Sequence, residues 1–227
     1  MKNIVIIGGT KGIGKAIVDE IIDQNKVTCL SRNKTEFNHS NYTFHEFDAL
    51  SDEYPEVDRI DCLIYCPGSI NLKPISTLSL DDFRNDFELN VIGAIKAIKT
   101  YLPLLKKSEC ASIILFSTVA TKLGMPYHAS VAVAKSGIDG LVKTLGSELA
   151  PNIRINAIAP TITKTELASK ILRNEKIIEN MVERHPLKKI LSPNEIAKMA
   201  SFLISTDSSS ISGQIFNMDA GIVTFKS

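Results

Sequence analysis

The sequence predicts an α/β fold: one domain over residues 1–227, built on a single doubly wound parallel sheet of about seven strands. Three observations lead there. The length of 227 residues suits one domain, and 44% hydrophobic with 22% charged residues is enough to bury a sizeable core. Short apolar runs alternate with amphipathic helical stretches along the whole chain. Several of those runs are apolar without a break, as expected of parallel strands covered on both faces.

Ile4–Ile7 is the first strand, and a glycine-rich turn and a helix follow it. Val27–Leu30, Thr43–Phe47, Cys62–Cys66, Ser112–Phe116, Ile153–Ala159 and Ile215–Met218 supply the others. Phe83, Phe87, Val91, Ala94, Ile95, Ile98 and Leu102 recur at helical spacing, with Asp81-Asp82 behind Ser79 as a helix start. Val131, Ala134, Ile138, Leu141, Val142, Leu145 and Leu149 make a second long helix. Its small residues, Ala132, Ala134, Ser136, Gly137 and Gly140, suit either packing on the sheet or a helix–helix contact between subunits. Asp48 to Asp61 leaves little room for a helix, so one face of the sheet is expected to be thinly covered. No repeat, low-complexity tract or linker divides the chain.

The first strand runs into Gly8-Gly9-Thr10-Lys11-Gly12-Ile13-Gly14 and then a helix. Glycines there allow a tight turn and close backbone approach to a pyrophosphate, which the helix N-terminus attracts. Between the first strand and first helix of an alternating chain, this is the signature of a dinucleotide site on a Rossmann fold. The second strand selects the cofactor. It ends Leu30-Ser31-Arg32-Asn33, without the carboxylate that would hold a free ribose 2′-OH. Ser31 and Arg32 suit a 2′-phosphate, and Lys11 adds a second positive charge, so NADP(H) is expected rather than NAD(H).

A net charge of +1 gives no field for nucleic acid or an anionic membrane. No run approaches the roughly 20 apolar residues of a membrane span, and the apolar start is too short for a signal peptide, so a cytoplasmic protein is expected. Cys29, Cys62, Cys66 and Cys110 form no C-x-x-C pair and are expected to be buried and reduced. Cys62 and Cys66 share a strand face about 13 Å apart, too far for one disulfide or one metal. His39, His45 and His185 gather no ligand cluster, and no metal is expected.

The spacing Gly8-x3-Gly12-x-Gly14 resembles the short-chain dehydrogenase/reductase family, and the resemblance runs through nearly the whole chain. Asp48 matches the family's adenine-contacting Asp. Asn90, Thr118 with Ser117 beside it, and Lys135 match the Asn, Ser and Lys of the catalytic tetrad. Asn156 to Pro160, then Thr161, Ile162 and Thr165, look like the nicotinamide-side loop. The segment from about 161 to 184 resembles the variable substrate lid, although a helix covering the core would show the same pattern. The resemblance also implies a homotetramer or homodimer through the 81–102 and 130–150 helices.

Four departures accompany it. The chain is short between its second and fourth strands. Cys66-Pro67-Gly68 stands for the family's Asn-Ala-Gly, and Thr161 for a Gly. Val131 stands where the family has the Tyr that protonates the substrate oxygen. Valine has no proton to give. His128, seven residues before Lys135, shares a helical face with it if the helix extends that far, and Tyr127 is its neighbour. Two functions are therefore expected as alternatives. One is an NADP(H)-dependent reductase of a small carbonyl or enone (or the reverse oxidation) with an atypical proton donor. The other is a non-catalytic NADP(H)-binding protein, a redox sensor or the structural partner of an active homologue.

Overall fold

The computed structural model describes residues 1–225. Seven strands, β1 Asn3–Ile7, β2 Lys26–Ser31, β3 Tyr42–Glu46, β4 Cys62–Tyr65, β5 Ala111–Phe116, β6 Ile153–Pro160 and β7 Ile215–Met218, form one sheet. Every expected strand is present, with each bound within one residue of the sequence reading. The order is β3-β2-β1-β4-β5-β6-β7, and all pairings are parallel. The chain moves outward from β1 to β3, then restarts on the other side of β1. That reversal opens a crevice at the carboxyl ends of β1 and β4.

Six α-helices lie among the described residues: α1 Gly12–Ile21, α2 Leu80–Phe87, α3 Gly93–Leu105, α4 Ala129–Glu148, α5 Glu175–Arg184 and α6 Pro193–Ile204. On one face of the sheet, Ile4, Ile6, Ile64 and Ile114 pack with α1 and α6. On the other, Val5, Ile7, Leu63 and Ile113 pack with α3 and α4. Alternate residues of a strand thus serve opposite cores. This is why β1, β4 and β5 are apolar throughout.

No helix joins β2 to β3 or β3 to β4. An aromatic row replaces one: Phe47 and Tyr54 lie 4.6 Å apart between ring centres, and Tyr54 meets Tyr101 of α3 edge-on at 5.7 Å. Tyr101 Oη donates to the Pro55 carbonyl at 2.9 Å and ties the loop down. The sheet there is thinly covered by loop, as the short spacing led one to expect.

The 81–102 helical pattern divides into α2, a π-helical turn at Glu88–Ile92, and α3. Ser79 and Asp82 close a reciprocal cap at the start of α2. The small residues of α4 divide: Ala134 is buried, a methyl on Gly137 would stand 3.1 Å from Val91 and 3.4 Å from Phe87, and Ser136 and Gly140 are exposed. In the 161–184 segment only α5 is helical, started by Asn174, whose Oδ1 accepts from the Ile177 N–H at 3.0 Å. Turns fill the stretch between Thr165 and Arg173, so the helical pattern overstated the helix. All four cysteines are free; Cys29 and Cys62 are buried, but Cys66 is half-buried and Cys110 exposed, at odds with the expectation for all four. No helix among the described residues is long and apolar enough to cross a membrane.

Candidate functional site

The crevice at the strand reversal holds a cleft of about 550 Å³. Gly8, Thr10, Lys11, Gly12, Ile13 and Gly14 line its floor, with Ser31, Arg32, Asn33 and Asp48 at one end. Cys66, Pro67 and Gly68 line the middle, and Thr165 and Glu166 the opposite wall. Residues distant in sequence meet there because β1, β2 and β4 end together.

The loop's shape depends on its glycines. Gly8 and Gly12 have φ of +79° and +51°. A methyl on Gly14 would stand 2.1 Å from the Gly8 carbonyl oxygen, so the loop closes on itself only with hydrogen there. Lys11 precedes α1 and gives no side-chain cap, which leaves the first N–H groups of the helix available to an anion. The donor set and the space fit a pyrophosphate.

At the end of β2, Ser31 Oγ and Thr10 Oγ1 are 2.7 Å apart, so the strand end and the loop are tied. Arg32 is exposed and has no ion-pair partner among the described residues. Lys11 differs from expectation: its Nζ lies 3.1 Å from Glu166, both side chains being largely exposed. The second positive charge is compensated by a carboxylate that no local sequence signal places there. Asp48 accepts from the Leu50 N–H at 2.9 Å and shapes the turn after β3.

Lys135 comes from the second turn of α4 and is buried. Its Nζ donates to the Phe116 carbonyl at 2.8 Å. Burial lowers its pKa to about 8, with Cys66, Asp139 and Asp86 acting in the opposite sense. Asn90 sits in the π-helical turn, 1% exposed, and its Nδ2 donates to the Asp86 carbonyl at 2.7 Å. Gly68 joins the two: a methyl there would stand 3.4 Å from Asn90 Oδ1 and 3.6 Å from Lys135 Nζ. Val131, one turn before Lys135, is buried.

The other sequence candidates separate. Thr118 Oγ1 accepts from the Ala120 N–H at 3.3 Å and starts a short turn, while its hydroxyl proton stays free to donate. The neighbouring Ser117 is 4% exposed, and its Oγ has no partner among the described residues. His128 and Tyr127 line a different cavity with Lys73, Ile75 and Met125, and neither Lys135 nor Asn90 borders it. His128 Nδ1 lies 2.7 Å from the Pro126 carbonyl, which holds the ring proton there and leaves Nε2 an acceptor in the neutral ring.

Of the residues expected from the loop after β6, Pro160, Thr161, Ile162 and Thr165, Thr165 lines the cleft, beside Glu166 and Leu167. Pro160 ends the strand with Ile162 just beyond, and Thr161 turns inward to donate to His185 Nε2 at 2.8 Å. His185 Nδ1 is in turn bonded to the Met181 carbonyl at 2.6 Å, so this pair ties the strand end to α5. Sequence reading missed three participants: Glu166, Ser69 and Asp86. Only Asp86 left a signal, its i, i+4 spacing to Asn90, which puts both on one helical face. Among the described residues no group of metal ligands gathers.

A family profile described as enoyl-(acyl carrier protein) reductase matches residues 43–223. A tropinone reductase homolog from Arabidopsis thaliana is 30% identical over 97% of this chain and 91% of its own. The 3-oxoacyl-[acyl-carrier-protein] reductase of Thermotoga maritima is 32% identical over 73% of this chain and 67% of its own. Among solved structures, ElxO with NADP bound superposes with a TM-score of 0.90 at 27% identity, covering 99% of this chain and 100% of that one. The ligand-free aldohexose dehydrogenase of Thermoplasma acidophilum gives 0.90 at 25% identity, covering 99% and 95%.

Proposed function

The chain belongs to the short-chain dehydrogenase/reductase family, an oxidoreductase fold, and from that premise we propose that it is an NADP(H)-dependent reductase of a small carbonyl or enone compound in which Lys135 supplies the proton. The observation that carries the cofactor reading is the end of β2. Ser31 and the unpaired, exposed Arg32 border the cleft there, and no carboxylate does so from that strand. A guanidinium binds a 2′-phosphate through two parallel hydrogen bonds, which a 2′-OH cannot repay.

The dinucleotide, when bound, supplies hydride to the substrate carbon. The chain's own residues do the rest. Gly8 to Gly14 and the start of α1 hold the pyrophosphate. Lys135 and Asn90 do not line the cleft themselves but meet behind Gly68, which does, and this reading assigns them to the nicotinamide end. An ammonium with pKa near 8 carries a proton at neutral pH and releases it without a large penalty. Buried Val131 excludes water from the position of the usual tyrosine. Exposed Phe87, Val133 and Leu80 on the α2–α4 side support association into a homodimer or homotetramer.

Titration calorimetry with NADPH and NADH, followed by NADPH oxidation against a panel of ketones and enones, tests this reading. Binding of NADPH at least about tenfold tighter than NADH, with the preference lost in Arg32→Ala, is the expected result; one charge-assisted pair accounts for that ratio. Equal affinities overturn the cofactor assignment. NADPH binding with no oxidation by any acceptor favours a non-catalytic dinucleotide-binding protein, for which the buried Val131 is the supporting observation.

A further inference from the structure

The ion pair between Lys11 and Glu166 joins two distant parts of the chain. Lys11 lies in the glycine loop just before α1, and Glu166 in the turns between β6 and α5. Their charged groups are 3.1 Å apart. The residues beside them also meet: a methyl on Gly12 would stand 3.3 Å from Thr165 Cγ2. Thr10, Lys11, Gly12, Thr165 and Glu166 border the dinucleotide cleft, and the same residues border a second hollow of about 590 Å³. The pair thus belongs to a wall shared by two hollows, and it fastens the Thr165–Glu166 turn to the loop assigned to the pyrophosphate.

Lys11 also belongs to the end of the cleft that selects the cofactor. Thr10 Oγ1 and Ser31 Oγ are 2.7 Å apart. Lys11 and Arg32 each follow one member of that contact, and both line the cleft. A 2′-phosphate held by Ser31 and Arg32 therefore comes to the Lys11 side. An ammonium bridging that phosphate and the carboxylate would hold two like charges a few ångströms apart, at a Coulomb cost. The existing pair exchanges cheaply, because its side chains are 58% and 70% exposed. A phosphate brings nearly two negative charges and stronger charge-assisted bonds.

We propose that Glu166 sets how strongly the site prefers NADP(H): it competes with the cofactor's 2′-phosphate for Lys11, and the phosphate, by taking Lys11, releases the Thr165–Glu166 turn from the glycine loop. This rests on the NADP(H) reading. Neighbouring charges leave the exchange to this pair. Lys15, one turn further along α1, is held by Asp19 at 2.5 Å. Arg32 has no ion-pair partner among the described residues, so a phosphate seated there breaks nothing. Asp48, the other acidic residue whose side chain caps a turn beside the cleft, is bonded to the Leu50 N–H. A ribose 2′-OH carries no charge with which to displace a carboxylate, so NADH leaves Lys11 with Glu166. NADPH binds at the expense of the pair and NADH does not.

Calorimetric titration of the whole chain with NADPH, NADH and adenosine 2′,5′-bisphosphate, in wild type and Glu166→Gln, tests this. Glu166 is exposed and glutamine has its shape, so folding is not at stake. Glu166→Gln is expected to bind NADPH and the bisphosphate about threefold tighter, the worth of one exposed ion pair, with a smaller change for NADH. In Lys11→Met the same substitution should no longer alter the ratio of the two affinities, since nothing is left to compete for. Unchanged or weaker NADPH binding in Glu166→Gln overturns the proposal. So does an equal gain for NADPH and NADH, which is repulsion of any dinucleotide by a carboxylate, and so does a gain in the ratio that persists in Lys11→Met. Amide hydrogen exchange over residues 164–168 should quicken when the bisphosphate is added to wild type, and unchanged or slower exchange overturns the release of the turn. If wild type binds neither NADPH nor the bisphosphate, the cofactor reading falls and this proposal with it. A preference for NADPH that ignores Glu166→Gln strikes this proposal alone.

Discussion

Burial makes Lys135 a stability cost, which the proposed chemistry would explain. In the unfolded chain its amine has the ordinary value of 10.5, and in the folded protein burial brings it to about 8. Below pH 8 both states carry the charge, and the folded state bears the full desolvation penalty. Between pH 8 and 10.5 the unfolded chain holds a proton that the folded one has lost, so this site's contribution to stability rises with pH. Above that range the penalty has gone. Lys135→Met is therefore expected to stabilise the protein at pH 7, by on the order of 3 kcal/mol less the Phe116 hydrogen bond, and so to raise Tm. The gain should vanish by pH 10.5. A variant less stable than wild type at pH 7 in thermal melts would show that the Phe116 bond outweighs desolvation. At this scale the sequence told which residues to examine but not how they are engaged. Lys11 reads as free in sequence and is paired with Glu166. Thr161 reads as a cofactor contact and is committed to His185. Both partners are brought by tertiary folding, which no spacing encodes.

Among the elements, the π-helical turn has most to do with the site. One extra residue in the turn displaces the helical hydrogen bonds and presents Asn90 inward. The carbonyl of Leu89 is recovered by Tyr65 Oη at 2.7 Å, from the end of β4. Gly93 makes room for that ring, since a methyl there would stand 2.1 Å from Tyr65 Oη. Tyr65→Phe leaves the carbonyl unpaired, and is expected to cost roughly 1–2 kcal/mol in denaturant unfolding. It should also slow turnover more than it weakens NADPH binding, because Asn90 lies in the turn and the pyrophosphate loop does not touch it. Equal loss in both would place the effect on the sheet as a whole. The turn is invisible in sequence: the apolar rhythm from Phe83 to Leu102 continues across it, and one inserted residue is within the scatter of that pattern.

Across the whole molecule, the parallel sheet with its strands and the place of the cleft were legible, because they follow from unbroken apolar runs and a glycine loop placed between the first strand and first helix. Asp86 and Ser69 were not, since their hydrogen bond at 2.5 Å depends on how α2 lies against the loop after β4. Nor was the node at the opposite end of the sheet. Asp61 Oδ2 accepts from the Asn3 N–H at 2.8 Å and Asn3 Nδ2 at 3.1 Å, and its Oδ1 accepts from Ser108 at 2.7 Å and Arg59 at 3.1 Å. It joins β1, β4 and the approach to β5. Burial alone would raise its pKa, but the donors prevail and bring it from 3.8 to about 2. A depressed carboxyl stabilises the fold above its unfolded value and loses that contribution as pH falls through the folded one. Stability should therefore drop between pH 4 and pH 2, on the order of 2 kcal/mol of it from this residue. In Asp61→Asn the protein should be weaker at pH 7 and the acid limb of urea unfolding shallower. An unaltered limb would assign acid sensitivity to other carboxyls.

The two helix-free crossovers divide the sheet into halves of unequal thickness. The half around β2 and β3 relies on a row of aromatic rings and on loops, and it is the half that borders the Arg32 end of the cleft. Cooperative opening of that half, seen as faster amide hydrogen exchange at β2 and β3 than at β5 and β6, would then compete directly with occupancy of the cleft. A nucleotide seated there would act as the missing layer, so affinity at that end and local protection from exchange would report one equilibrium.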